Sequence, residues 1–280
     1  MPCIKQFLIR WVSTVFVITA GGLSVAQQTH ISHCAYGCPI YTGESNASKN
    51  DTEKIVVRHL FAASIRDDGL ARWIAYRVLP GTVGVASLLP RYWQLDDFIG
   101  GGATLSQEVG ESNRLEQVDL SNAQDSDYRV NEVKLVASDR ARLAPMTSFA
   151  GTPYWNELNY LSNMTPMPAD LRTGAWARLD QAVNELAQQG VPFSVISGPI
   201  FDGTAAQKDE IGAPTNFFKI VVQGTSRASF IFPAHARPQS NYCDYLHPLS
   251  ALSEASELEF FPDQFINWSD DVALSLSCTN

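Results

Sequence analysis

From Asp170 to Gly190 the apolar positions recur at steps of three or four, as Leu171, Ala175, Leu179, Val183 and Leu186. That period predicts an amphipathic helix, with Asp170 as its N-cap and Gly190 as its stop. Elsewhere the pattern changes to short β-branched and aromatic runs bounded by Gly and Pro. Lys54 to Leu60, Ala71 to Leu79, Val133 to Ala137, Val191 to Phe201, Phe217 to Val222 and Ala228 to Pro233 read as strands. Residues 39 to 53 and 94 to 128 are rich in Gly, Ser, Asn and acidic residues and read as loops. No fixed-period repeat or heptad interrupts this order. Strands in runs with one clear helix predict an α+β domain with a largely antiparallel sheet.

The N-terminus follows another rule. Lys5 and Arg10 precede an apolar run from Trp11 to Ala20 and the small-residue pattern Ser24-Val25-Ala26. This reads as a signal peptide cleaved after Ala26, leaving residues 27 to 280 as one exported domain, secreted or periplasmic. The apolar run is short for a membrane span, so no membrane association is expected after cleavage. Cleavage removes two positive charges and no negative one from a chain of net charge -9. Global positive charge is therefore excluded as a means of holding nucleic acid, and a polyanion site must be a local patch.

Cysteine usage fits export. Cys3 lies in the signal segment, and the rest form a close pair, Cys34 and Cys38, and a distant one, Cys243 and Cys278. Their spacing favours two disulfides, Cys34 with Cys38 and Cys243 with Cys278, over a four-cysteine zinc site. Asn46, Asn50, Asn163 and Asn267 head glycosylation sequons.

The stretch from Ser138 to Asp180 carries the chemistry. It holds Asp139-Arg140, Ala144-Pro145, a Leu158 to Asn163 segment reading LNYLSN, and Gly174-Ala175-Trp176 on the predicted helix. These pieces resemble the DNA/RNA non-specific endonuclease family of the ββα-metal fold. Weaker similarity extends to residues 33 to 39, Arg91-Tyr92-Trp93, Ser197-Gly198-Pro199 and Pro214 to Ile220. The resemblance implies a single ββα-metal nuclease-like domain with flanking helices, a DNA or RNA substrate, and Mg²⁺ or Mn²⁺ as cofactor. It places site residues at Arg91, Arg140, Arg142, Asn159, Asn163 and Asp180, with a metal-ligand position at Arg172.

The chain departs from that pattern where it matters most. Phosphodiester hydrolysis needs a base for the attacking water and stabilisation of charge on the phosphate and leaving oxygen. The family's histidine position in Asp-Arg-Gly-His is Arg142, its glycine Ala141, and its metal-binding asparagine is Arg172. A guanidinium keeps its proton and offers no lone pair, so it serves neither as base nor as metal ligand. The helix acid is shortened to Asp180.

These substitutions predict a pseudonuclease that keeps a phosphate-binding or nucleic-acid-binding cleft and needs no cofactor. An active metal-dependent endonuclease with a relocated base, for which His59 and His235 are the candidates beside strands, is the alternative. An interaction protein without nucleotide affinity is the third reading.

Overall fold

A computed structural model describes residues 31–43, 54–66, 69–91, 93–94, 96–99, 140–201, 214–262 and 266–278. The expected signal peptide, the Val133 to Ala137 strand, most of the 94 to 128 loop, and Asn46 and Asn50 lie outside these residues.

Strand β1 (Ile40–Tyr41) pairs antiparallel with Leu258–Glu259 outside the main sheet. The six strands β2 (Lys54–Val57), β3 (Phe61–Ile65), β4 (Ala71–Val78), β7 (Phe193–Ile200), β8 (Asn216–Gln223) and β9 (Ser226–Pro233) form one sheet in that order, with every neighbouring pair antiparallel. The last four match the patterned runs within two residues at each end. The run from Lys54 to Leu60 does not hold as one strand. The chain turns at Arg58 to Leu60 and returns as β3, a strand whose small residues, Ala62, Ala63 and Ser64, weaken its propensity signal.

The sheet is buried on both faces, so its strands alternate between two apolar environments. Ile74, Tyr76, Val195, Phe217 and Val221 face one cluster, and Trp73, Ala75, Ile196, Phe218 and Ile220 face the other. The first cluster takes in helix residues Leu171, Ala175, Trp176, Leu179 and Val183. The second is closed by Leu252 of α3 (Leu249–Ser256), Leu258 and Phe260.

The long helix is broken, contrary to the sequence expectation of one element. It forms α1 (Ala169–Thr173) and α2 (Ala175–Gln188), with Gly174 between them at ψ -122°. A Cβ at Gly174 would clash with the carbonyl of Asp170 and stand 2.9 Å from that of Pro238, so a glycine permits the close approach. Pro168, not Asp170, occupies the N-cap of α1, and Asp170 lies in the first turn. The stop at Gly190 holds, at φ +105°.

Both disulfides form as the spacing predicts, Cys34 to Cys38 and Cys243 to Cys278. They close loops of very different length, with sequence separations of 4 and 35. Chain entropy assigns roughly 2 kcal/mol to the first and roughly 4 kcal/mol to the second. Urea unfolding should therefore show the Cys243→Ser/Cys278→Ser variant losing more stability than Cys34→Ser/Cys38→Ser. The reverse order would contradict this.

Candidate functional site

Strand β5 (Arg140–Arg142) pairs antiparallel with β6 (Met164–Pro166), setting Arg142 opposite Met164. The chain then enters α1 and α2, so two short strands and a helix surround one depression. Between β5 and β6, short 3₁₀ turns at Trp155–Asn159 and Leu161–Asn163 return the chain over the strand pair.

A cleft of about 360 Å³ opens there, lined by Arg91, Arg142, Arg172, Trp176, Asp180 and Asn184 among others. Four of the sequence-predicted positions thus meet at one place: Arg91 from the loop after β4, Arg142 from β5, Arg172 from the last turn of α1, and Asp180 from α2. All three arginines are half-buried. Arg142 is the best defined. Its Nη2 donates to Asn159 Oδ1 at 2.6 Å, and its guanidinium lies 4.4 Å from the centre of the Trp93 ring. Asn159 in turn donates from Nδ2 to the Pro90 carbonyl at 3.1 Å. These contacts fix the guanidinium in advance of any ligand.

Two predicted positions, Asn159 and Asn163, are not among the residues lining the cleft. Asn163 is fully buried and bonds backbone only, accepting from Ala144 N and donating to Ala144 O and Leu158 O. Its sequon is therefore closed to solvent, whereas Asn267 is exposed. Arg140 begins β5, and its backbone pairs with Pro166.

Beneath the cleft lies a residue that was not singled out from the motifs. Lys219 of β8 is 0 % exposed and forms an ion pair with Asp180, itself only 7 % exposed. Its Nζ also lies 3.8 Å from the centre of the Trp176 ring. Burial pushes the Asp180 carboxyl above its ordinary range, and the Lys219 ammonium opposes that rise. Burial likewise pushes Lys219 down, against the pull of Asp180. The sequence signal was a lone lysine in the apolar run Phe217 to Val222, placed by strand alternation on the helix side with Phe217 and Val221.

The donor set of the described residues does not suit a hard divalent cation. Three guanidiniums carry no lone pair, and Asp180 already has a cation beside it. Asn184 Oδ1 accepts from Ser148 Oγ at 2.6 Å, and its Nδ2 donates to Thr147 Oγ1 at 3.1 Å. Among the described residues no group of three or more His, Cys, Asp or Glu side chains is placed to hold a metal.

Of the two histidines considered as relocated bases, His235 is exposed and does not line the cleft. His59 is different. Its Nδ1 lies 2.6 Å from Glu157 Oε1, its backbone N–H donates to Glu157 Oε2 at 2.9 Å, and its ring stacks on Tyr154 with centroids 4.0 Å apart. Glu157 is largely buried while the His59 side chain is 61 % exposed. His59 does not line the arginine cleft.

The chain matches the model of the DNA/RNA non-specific endonucleases over residues 42–265. It is 28 % identical over 262 residues to a nuclease of Serratia marcescens, covering 88 % of this chain and 85 % of that protein. A shorter match, 25 % over 122 residues, covers 37 % of this chain and 41 % of the human mitochondrial endonuclease G. Among solved structures, the fold resembles a chain of the EndoG/EndoGI complex with TM-score 0.51 and 16 % identity, over 77 % of this chain and 88 % of that one. The strand pair and helix around the cleft, together with a family match over most of the chain, place this protein in the DNA/RNA non-specific endonuclease family.

Proposed function

We propose that this chain is an exported member of the family, residues 27–280 after loss of the signal peptide, that binds phosphate groups of nucleic acid without hydrolysing them efficiently. One observation carries the reading: Arg91, Arg142 and Arg172 share one cleft whose nearby carboxylate, Asp180, is paired with Lys219. Three guanidiniums match the charge and hydrogen-bonding geometry of phosphate oxygens. None of them takes a proton from water, since arginine stays protonated far above neutral pH. Mg²⁺ or Mn²⁺, the family's cofactor, finds no fitting ligand set among the described residues, so no hydrolytic step is assigned to it. Loss of a general base alone removes about 10² to 10⁴ in rate.

Within this reading Asn159 and Trp93 position Arg142, Asn163 holds the backbone between β5 and the 3₁₀ turns, and Arg140 remains a candidate contact by its place on β5. Export is supported by the leader pattern and the two disulfides. No helix among the described residues is long and apolar enough to cross a membrane.

His59 favours a second reading, an active hydrolase with a base elsewhere. A carboxylate that holds one ring nitrogen and leaves the other exposed is the arrangement that orients an imidazole for proton transfer. Its position outside the cleft lining ranks it second.

Incubation with plasmid DNA and with RNA, in Mg²⁺ and in Mn²⁺, separates the two. We expect no metal-stimulated cleavage, together with oligonucleotide binding that weakens as salt rises. Brisk cleavage abolished by His59→Ala would install the second reading, and no binding even at low salt would leave an interaction protein.

A further inference from the structure

We propose that the turn between β2 and β3, together with the 3₁₀ turn at Trp155–Asn159, forms a stacking surface for the unpaired bases of single-stranded nucleic acid. It rests on the nucleic-acid reading above and adds to it the form of the strand that is held.

The surface is built on two consecutive residues. Arg58 and His59 follow β2, and each lies against a tyrosine ring beside the 3₁₀ turn. The Arg58 guanidinium stands 4.3 Å from the centre of the Tyr160 ring, and the His59 ring stacks on Tyr154 with centroids 4.0 Å apart and planes 2° from parallel. Tyr154 and Tyr160 cap the two ends of that turn, and Glu157 within it holds His59 at its backbone N–H and at Nδ1. A third ring, Phe98, lies 3.8 Å from the Arg58 guanidinium, and its backbone N–H donates to Asp96 Oδ1 at 3.0 Å. Asp96, whose side chain is fully buried, forms an ion pair with Arg58.

Three of these rings stay in water. Phe98 is 58 % exposed, Tyr154 44 %, and the His59 side chain 61 %. Aromatic surface left exposed at one place, instead of being buried in the core, marks a site that another molecule covers. The rings are also fixed in advance, His59 by Glu157 and Phe98 through Asp96 and Arg58, so ordering them costs little when a ligand arrives.

Charge decides which part of a strand fits. Arg58 is matched by Asp96 and His59 by Glu157, so the surface offers ring faces more than net charge. Every base presents a flat π face, and such faces stack on aromatic rings whatever the sequence. In a duplex those faces are covered by the neighbouring base pairs, so unpaired bases are the ones that fit. None of Arg58, His59, Phe98, Tyr154 and Tyr160 lines the arginine cleft, yet the same 3₁₀ turn ends in Asn159, which accepts from Arg142. The stacking surface and the cleft are therefore joined through one short turn.

Fluorescence anisotropy with oligo(dT) and with an abasic strand of the same length and charge separates bases from backbone. Wild type should bind oligo(dT) about twentyfold tighter, since two stacked bases contribute about fivefold each. Tyr154→Ala and Phe98→Ala should each weaken oligo(dT) about fivefold and leave the abasic strand within about twofold. Neither removes a charge, so the salt dependence of binding should stay as in wild type. Tyr154→Leu keeps apolar bulk without a ring and should match Tyr154→Ala, whereas Tyr154→Trp keeps a ring and should retain the wild-type preference. Thermal melts confirm folding, and the Phe98 variant tests the surface even where a Tyr154 variant fails to fold.

A loss that falls equally on both strands, or no loss in either variant, would overturn the role of the rings. Equal wild-type affinity for the two strands would overturn base stacking and leave phosphate binding standing. Binding of neither strand would bring down the nucleic-acid reading itself.

Discussion

Plasmid cleavage in Mg²⁺ by the Arg142→His/Arg172→Asn double variant is expected to exceed the wild-type rate by about a hundredfold or more. Each single change should gain less than about tenfold. Arg142 and Arg172 line one cleft from different elements, β5 and the end of α1, so their replacements act on the same bound phosphate. Arg142→His returns a side chain able to accept a proton, and it leaves Asn159 Oδ1, now bonded to Arg142 at 2.6 Å, as an acceptor for the other ring nitrogen. Arg172→Asn returns a neutral oxygen and removes the cation nearest in sequence to the Gly174 break. A base without a metal ligand, or a ligand without a base, restores half of a unit, and such residues are strongly non-additive. Initial rates on supercoiled plasmid, with thermal melts to confirm folding, measure the effect. A folded double variant no faster than wild type, or one whose gain only equals the product of the single gains, would overturn this account of the two positions.

Oligonucleotide affinity at low salt should fall about a hundredfold in Arg142→Glu, the largest binding effect expected of any single change. The substitution swings the cleft by two charges at its most preorganised guanidinium, which Asn159 and Trp93 hold in place. Screening at a half-buried site keeps the loss well below the unscreened Coulomb value. Arg237→Glu makes the same change in net charge at an exposed position outside the cleft lining. It should change affinity less than about threefold, because a chain of net charge -9 gains no affinity from its overall charge. Fluorescence anisotropy across a salt series reads both variants. The penalty at Arg142 should shrink as salt rises, and equal penalties at the two positions would replace the local patch with a diffuse field.

Much of this protein is written locally. The three strands from Phe193 to Pro233 are largely apolar runs between Gly and Pro signals, so their ends follow from short-range pattern. The disulfide pairs followed from spacing alone. The positions of Arg142, Arg172 and Asp180 in one site were legible through the resemblance, because family motifs carry relative placement as well as residue type.

What local pattern left open depends on contacts between distant segments. The helix reads as continuous because its apolar period runs through Gly174, yet the close approach of the Pro238 backbone from outside the helix breaks it there. Strand β3 carries small residues that no propensity marks, and pairing with β2 and β4 makes it a strand. His59 gains its carboxylate from a residue 98 positions later, and Lys219 finds Asp180 across 39. The sequence by itself determined most of the strands, the disulfides and the absence of a proton acceptor in the side chain of residue 142, since each rests on residue chemistry or short-range order. Only the tertiary structure decided that the carboxylate of the cleft is paired from beneath, because a buried charge finds its partner through the packing of a strand against a helix.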